Sequence, residues 1–213
     1  APDAQIGIAS TGKLCYPHAP ADEEAARNET FRLTDTDWMF THPITLDAAC
    51  FGRVEPEPGA LSSLMRKISP EDWDIMHAIP DFIGVNSYNG SEIAADADGW
   101  PVYLPRPRGF PCTALKWPVT PEIMEYGYAF LYERYQLPLY VTECGLSCND
   151  RIYLDGQVHD ADRIDFLHRY LLALRKGSER ADIRGFFHWS LTDNFEWHSG
   201  YACLLYTSPS PRD

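Results

Sequence analysis

Tyr140-Val-Thr-Glu-Cys-Gly-Leu-Ser-Cys148 sets one acidic side chain, Glu143, where an apolar run breaks into a glycine-bearing loop. Leu137, Leu139, Tyr140 and Val141 read as a short buried strand, and Gly145 marks the turn just past its end. A carboxylate at the C-terminal lip of such a strand is where α/β barrels put their chemistry. Taken alone, the segment is also open to a glutamate that caps a neighbouring turn or pairs with an arginine.

A second segment narrows the choice. Gly185-Phe-Phe-His-Trp-Ser-Leu-Thr-Asp-Asn-Phe-Glu-Trp197 is another apolar strand, and it ends in a cluster of Trp189, Asp193, Asn194, Glu196 and Trp197. Sugars present flat C–H faces and rings of hydroxyls, so a sugar site needs aromatic planes and carboxylate or amide acceptors. Either tryptophan alone reads as core. A core segment, however, would not bring two carboxylates with it.

The chain resembles the C-terminal half of a glycoside hydrolase of family one, the β-glucosidase family. Asp81-Phe-Ile-Gly-Val-Asn-Ser-Tyr88 is similar to the family's sixth strand, and Val141-Thr-Glu-Cys-Gly145 to its nucleophile motif, Ile-Thr-Glu-Asn-Gly. Trp189-Ser-Leu-Thr-Asp-Asn-Phe-Glu-Trp197 resembles its sugar-binding motif, and Trp117-Pro-Val-Thr-Pro121 the segment that sets a tryptophan beside the leaving group. The matches span residues 6–201, in the family's order. The implied fold is an α/β, (β/α)8 TIM barrel, here only strands five to eight, with Gln5-Ile-Gly-Ile-Ala-Ser10 resembling strand five.

The implied activity is that of a retaining β-glycosidase releasing terminal non-reducing β-D-glucosyl residues through a covalent intermediate on Glu143. By the same resemblance Tyr88 donates a hydrogen bond to that nucleophile and Asn86 lines the pocket. Trp189, Asn194, Glu196 and Trp197 hold the non-reducing sugar, and Trp117 meets the aglycone. The physics agrees, since a phenol donor favours the ionised carboxylate while burial alone would raise its pKa. Asn86 and Tyr88, two apart on a strand, share a face. A branch of the family that takes 6-phosphorylated sugars carries serine where this chain keeps Glu196, which would repel a phosphate. Neutral β-glucosides are therefore expected, with β-galactosides or β-fucosides close behind.

Two departures bear on that picture. Cys144 stands where the family has asparagine, a small, weakly polar substitute that loses hydrogen bonds holding the loop. A reading of Cys144 and Cys148 as metal ligands or a redox pair lacks both a two-residue spacing and a second Cys/His pair. Retaining glycosidases also need two carboxylates about 5–5.5 Å apart. The family's proton donor lies in an Asn-Glu-Pro motif, and here the only Glu-Pro steps, at Glu55 and Glu57, fall in a proline-rich loop. The expectation is a fragment: residues 1–203 form the C-terminal half of one barrel domain, its partner the missing N-terminal half, and residues 204–213 a non-native tail. The rival of another class is a non-catalytic carbohydrate-binding barrel that has lost its acid/base.

At 213 residues the chain falls short of the roughly 250 typical of a full barrel. Strands are expected over 6–9, 81–88, 137–143 and 183–191, alternating with helices as parallel strands with crossover connections require. Ile123, Tyr126, Phe130 and Leu131 mark one face of a helix over 121–135, begun at Pro121. Leu167, Tyr170, Leu171 and Leu174 do so for 161–176, with Asp160 as its cap. Proline-rich residues 89–120 read as one long loop, the kind that builds a substrate entrance. Half a barrel leaves two open sheet edges, which predicts marginal stability or aggregation.

A formal net charge of −13 with scattered Lys and Arg argues against nucleic acid or an anionic membrane as partner. No apolar run reaches the ~18 residues of a membrane span. Six cysteines at scattered spacing fit reduced thiols and a cytoplasmic setting. The seven histidines form no metal-binding pattern, and no phosphate-binding glycine loop or Gly-x-Ser-x-Gly elbow occurs, so no cofactor is implied.

Overall fold

Four apolar runs become one parallel sheet in the computed structural model, which describes residues 3–148, 151–190, 192 and 195. The strands are β1 (Gly7–Thr11), β3 (Phe82–Asn86), β6 (Leu139–Cys144) and β7 (Ile183–His188), side by side in chain order. Each lies within about two residues of its expected start, and β7 stops at His188, short of residue 191. Parallel strands need covered crossovers. Helix α5 (Ile123–Tyr135) makes the link after β3, and α6 (Ala161–Gly177) the link after β6.

One face of the sheet is sealed by these helices. Ile83, Val85, Leu139 and Val141 are wholly buried there, packed with Ile123, Tyr128 and Tyr170. The opposite face, with Phe82, Tyr140 and Thr142, is only half-buried. Pro121 precedes α5 with Glu122 at its N-cap, and the helix buries a broader stripe than expected, Met124 and Tyr128 included. In α6 the buried line runs through Arg163, Phe166, Tyr170 and Leu174. Leu171 instead stays 44% exposed, because it lies beyond the narrow stripe set by Phe166, Tyr170 and Leu174. Asp160 occupies the cap position of α6 but does not cap it, because its carboxylate accepts from Arg163 Nη1 at 2.5 Å.

The expectation of one long loop over 89–120 is corrected. A second sheet joins β2 (Cys15–Pro17), parallel to β4 (Ser91–Ala95), which pairs antiparallel with β5 (Pro101–Tyr103). Pro101 sits at the first position of the edge strand β5, where a missing N–H costs nothing to the ladder. Between β1 and β3 run α1 (Glu23–Phe31), α2 (Pro43–Phe51), α3 (Ala60–Met65) and α4 (Pro70–Met76). A half-buried ion pair ties α2 to α5: Asp47 accepts from Arg134 Nη2 at 2.6 Å and from Tyr135 Oη at 2.8 Å. No described helix is long and apolar enough to cross a membrane.

Candidate active site

The end of β6 does not alternate. Val85 pairs with Val141, yet the next pair is Asn86 with Glu143; on the other side Val141 pairs with Phe186 and Cys144 with His188. Both neighbours therefore record one extra residue in β6, a β-bulge around Thr142 and Glu143. Strict alternation would send Glu143 to the sealed face, alongside Leu139 and Val141. The bulge turns it out of the core and gives the buried place to Cys144, which is 0% exposed. Burial pushes the Cys144 thiol well above its ordinary pKa, so it is a packing group.

So redirected, Glu143 meets Tyr88, whose hydroxyl donates to Oε2 at 2.5 Å. Beside it Thr142 Oγ1 donates to Asn86 Oδ1 at 2.7 Å. Asn86 and Tyr88 both line a cavity of about 530 Å³, together with Thr11, Lys13, Phe40 and Trp117. The Trp117 ring lies edge-on to Tyr88 with centroids 5.3 Å apart. No carboxylate is among the described residues lining that cavity.

Backbone contacts hold the two aromatic residues in place. Trp117 closes a turn in which Thr113 N–H donates to Trp117 O at 2.8 Å. The N–H groups of Ala114 and Leu115 donate to Ser147 O and Oγ, which stitches this turn to the segment after β6. The Tyr170 hydroxyl donates to Tyr88 O at 2.9 Å and accepts from Thr120 N–H at 2.9 Å. Gly145 brings β7 close: a Cβ there would lie 2.0 Å from Trp189 O, a backbone atom unable to step aside. Trp189 N–H donates to Cys144 O at 3.0 Å, and its half-buried indole thus follows directly from the end of β6. Asn194, Glu196 and Trp197 lie outside the described residues.

Several residues at the site carry no sequence signal. Lys13 reaches into the cavity wall between Glu29 Oε1, at 2.7 Å, and Asp37 Oδ2, at 2.6 Å. Burial opposes its charge, but hydrogen bonds to the two carboxylates more than offset that and raise its pKa. Behind β1, buried His42 shares a hydrogen bond with Ser10 Oγ at 2.9 Å. Burial lowers its pKa to about 4. Glu143, Asn86, Tyr88 and Trp117 were readable beforehand, but these were not, since the partners of Lys13, Thr120 and Tyr170 come from distant segments. The five described cysteines are all free thiols.

The family model for glycosyl hydrolase family 1 matches residues 1–204. β-Glucosidase A of Thermotoga maritima is 35% identical over 206 residues, covering 94% of this chain and 44% of that protein. A bifunctional β-D-glucosidase/β-D-fucosidase of Bifidobacterium breve is 35% identical over 150 residues, covering 62% and 33%. The structure of the Thermotoga maritima β-glucosidase in complex with castanospermine superposes with a TM-score of 0.73 at 28% identity, covering 95% of this chain and 45% of that one. The chain thus spans less than half the length of the curated relatives it matches.

Proposed function

The chain belongs to glycosyl hydrolase family 1, and from that premise we propose that it is strands five to eight of the catalytic barrel of a retaining β-glycosidase, with Glu143 as nucleophile. The observation that carries the reading is the bulged end of β6, which delivers Glu143 to the Tyr88 hydroxyl at 2.5 Å beside a cavity walled by Asn86 and Trp117. In this reading a Glu143 oxygen attacks the anomeric carbon while the bond to the aglycone oxygen breaks, leaving the sugar esterified to the carboxylate. Water then cleaves the ester and restores Glu143. Tyr88 orients the carboxylate. Trp117 packs against the aglycone, while Trp189, Asn194, Glu196 and Trp197 hold the non-reducing sugar. The leaving oxygen takes its proton from a second carboxylate, which this reading looks for outside these 213 residues. The relatives named as β-glucosidases and as a β-D-glucosidase/β-D-fucosidase support a neutral β-glucoside as substrate, with the fucoside close behind.

A 2-fluoro-β-glucoside with a dinitrophenolate leaving group tests this directly, because so good a leaving group needs no proton donor. Peptide mapping by mass spectrometry is expected to find one fluoroglucosyl ester, on Glu143, and none in Glu143→Gln. A folded chain that binds glucose yet stays unmodified would instead be a sugar-binding barrel without catalysis.

A further inference from the structure

A larger groove, of about 660 Å³, lies between the tip of the β4–β5 hairpin and α1 and α5, and shares no lining residue with the cavity at Tyr88. Its most conspicuous member is Trp100, an indole left 63% exposed. The hairpin that carries it is hydrogen-bonded across its turn. Asp96 Oδ1 accepts from the N–H groups of Asp98 and Trp100, Asp96 N–H donates to Trp100 O at 2.9 Å, and Gly99 takes the left-handed φ of +85° that the turn requires. The base of the hairpin is fixed to α1 by Ala95 N–H on Asp22 Oδ1 and by Tyr103 Oη on Glu29 Oε1.

The same groove is lined by planar charged side chains. Arg27 Nε donates to Glu133 at 3.0 Å with its guanidinium over the Phe130 ring, and Arg134 lies over Phe31. The groove also exposes the Asn28 amide and the Asp98 carboxylate, neither of which is hydrogen-bonded to a described side chain. Three arginines against four carboxylates leave it close to neutral, which disfavours a strongly anionic or cationic ligand. An exposed aromatic plane in one groove with hydrogen-bond donors and acceptors is what a pyranose recognises, and the volume lies within the ~300–1,000 Å³ of small-molecule sites.

We propose that this groove is a second, non-catalytic site for a neutral saccharide of one or two rings, stacked on Trp100. The hairpin's part of the groove, residues 98–101, also lies beyond the five residues of β4 from Gly90 of the Tyr88 cavity, a strand of roughly 16 Å at about 3.3 Å per residue. The two sites are therefore distinct, and this one does not depend on Glu143 being a nucleophile.

The test is saturation-transfer NMR of the 213-residue chain with cellobiose, in the parent and in Trp117→Ala, Trp100→Ala and Asn28→Ala. Binding is expected to persist in Trp117→Ala and to weaken about tenfold in Trp100→Ala, with a smaller loss in Asn28→Ala. Both groove side chains are exposed, so thermal unfolding by circular dichroism should match the parent. Cellobiose binding that survives both groove substitutions, or that vanishes in Trp117→Ala alone, overturns the proposal. Fluoroglucoside labelling of Glu143, followed in the same variants, keeps the two readings apart: it should continue in Trp100→Ala. If labelling fails while binding still depends on Trp100, the groove stands and the catalytic reading falls.

Discussion

The two sheets use polar side chains in opposite ways. At the end of the parallel sheet they bond across the strands, Tyr88 to Glu143 and Thr142 to Asn86, and so hold a carboxylate on Tyr88, which lines a cavity. In the β2–β4–β5 sheet they link strand to helix, the Asp22 carboxylate before α1 accepting from Ala95 N–H and Tyr103 Oη donating to Glu29 in α1, and so brace a hairpin. The first arrangement spends local regularity, a bulge, to aim one group; the second secures a whole element. Polar groups at strand ends thus join strand to strand beside the proposed site, and strand to helix at the brace.

Damage to the first arrangement should therefore be the more severe. Gly145→Ala drives a Cβ into Trp189 O and is expected to cost about 3 kcal/mol in chemical denaturation, with loss of Glu143 labelling. Unchanged stability would show that β7 can move away from the loop after β6.

Behind β1, His42 gives the parallel sheet a pH dependence. Its folded pKa of about 4 lies below the ordinary value of 6.5, so the unfolded chain binds the proton more readily. Its contribution to stability is complete above about pH 6.5, falls by at most about 1.4 kcal/mol per pH unit towards pH 4, and levels off below. Denaturant titrations across that window should lose this component of the slope in His42→Asn, which keeps a partner for Ser10. A slope identical in the variant would assign the effect elsewhere.

Tyr103→Phe removes one half-exposed brace between the second sheet and α1, with an expected cost of about 1 kcal/mol and no change in Glu143 labelling. Impaired labelling would mean that the two arrangements are coupled, with Lys13, which shares Glu29 with Tyr103, as the link.

What could be read beforehand follows the same division. The four parallel strands announce themselves because one face is buried under helices, so Ile83, Val85, Leu139 and Val141 must be apolar. The second sheet is written in short strands of mixed polarity, Ser91-Glu-Ile-Ala-Ala95 and Pro101-Val-Tyr103, whose pairing depends on β2 far back in the chain. Prolines around them read as loop. At the site, Glu143, Tyr88, Asn86 and Trp117 were visible through their motifs, but the bulge was not. A bulge is a relation between strands, and β6 alone contains nothing that says its neighbours will skip a residue. Leu171 was misassigned for a related reason, since heptad-like spacing marks several candidate faces and only the docked sheet selects one.

The Tyr170 hydroxyl has a further use. One oxygen joins α6 to the carbonyl of Tyr88 and to the amide of Thr120, three stretches with no sequence proximity. The Thr120 amide proton is therefore a gauge: its exchange with deuterated solvent requires that junction to part. Slowed exchange when a sugar ester forms on Glu143 would register, from the outer helix layer, that the cavity had tightened.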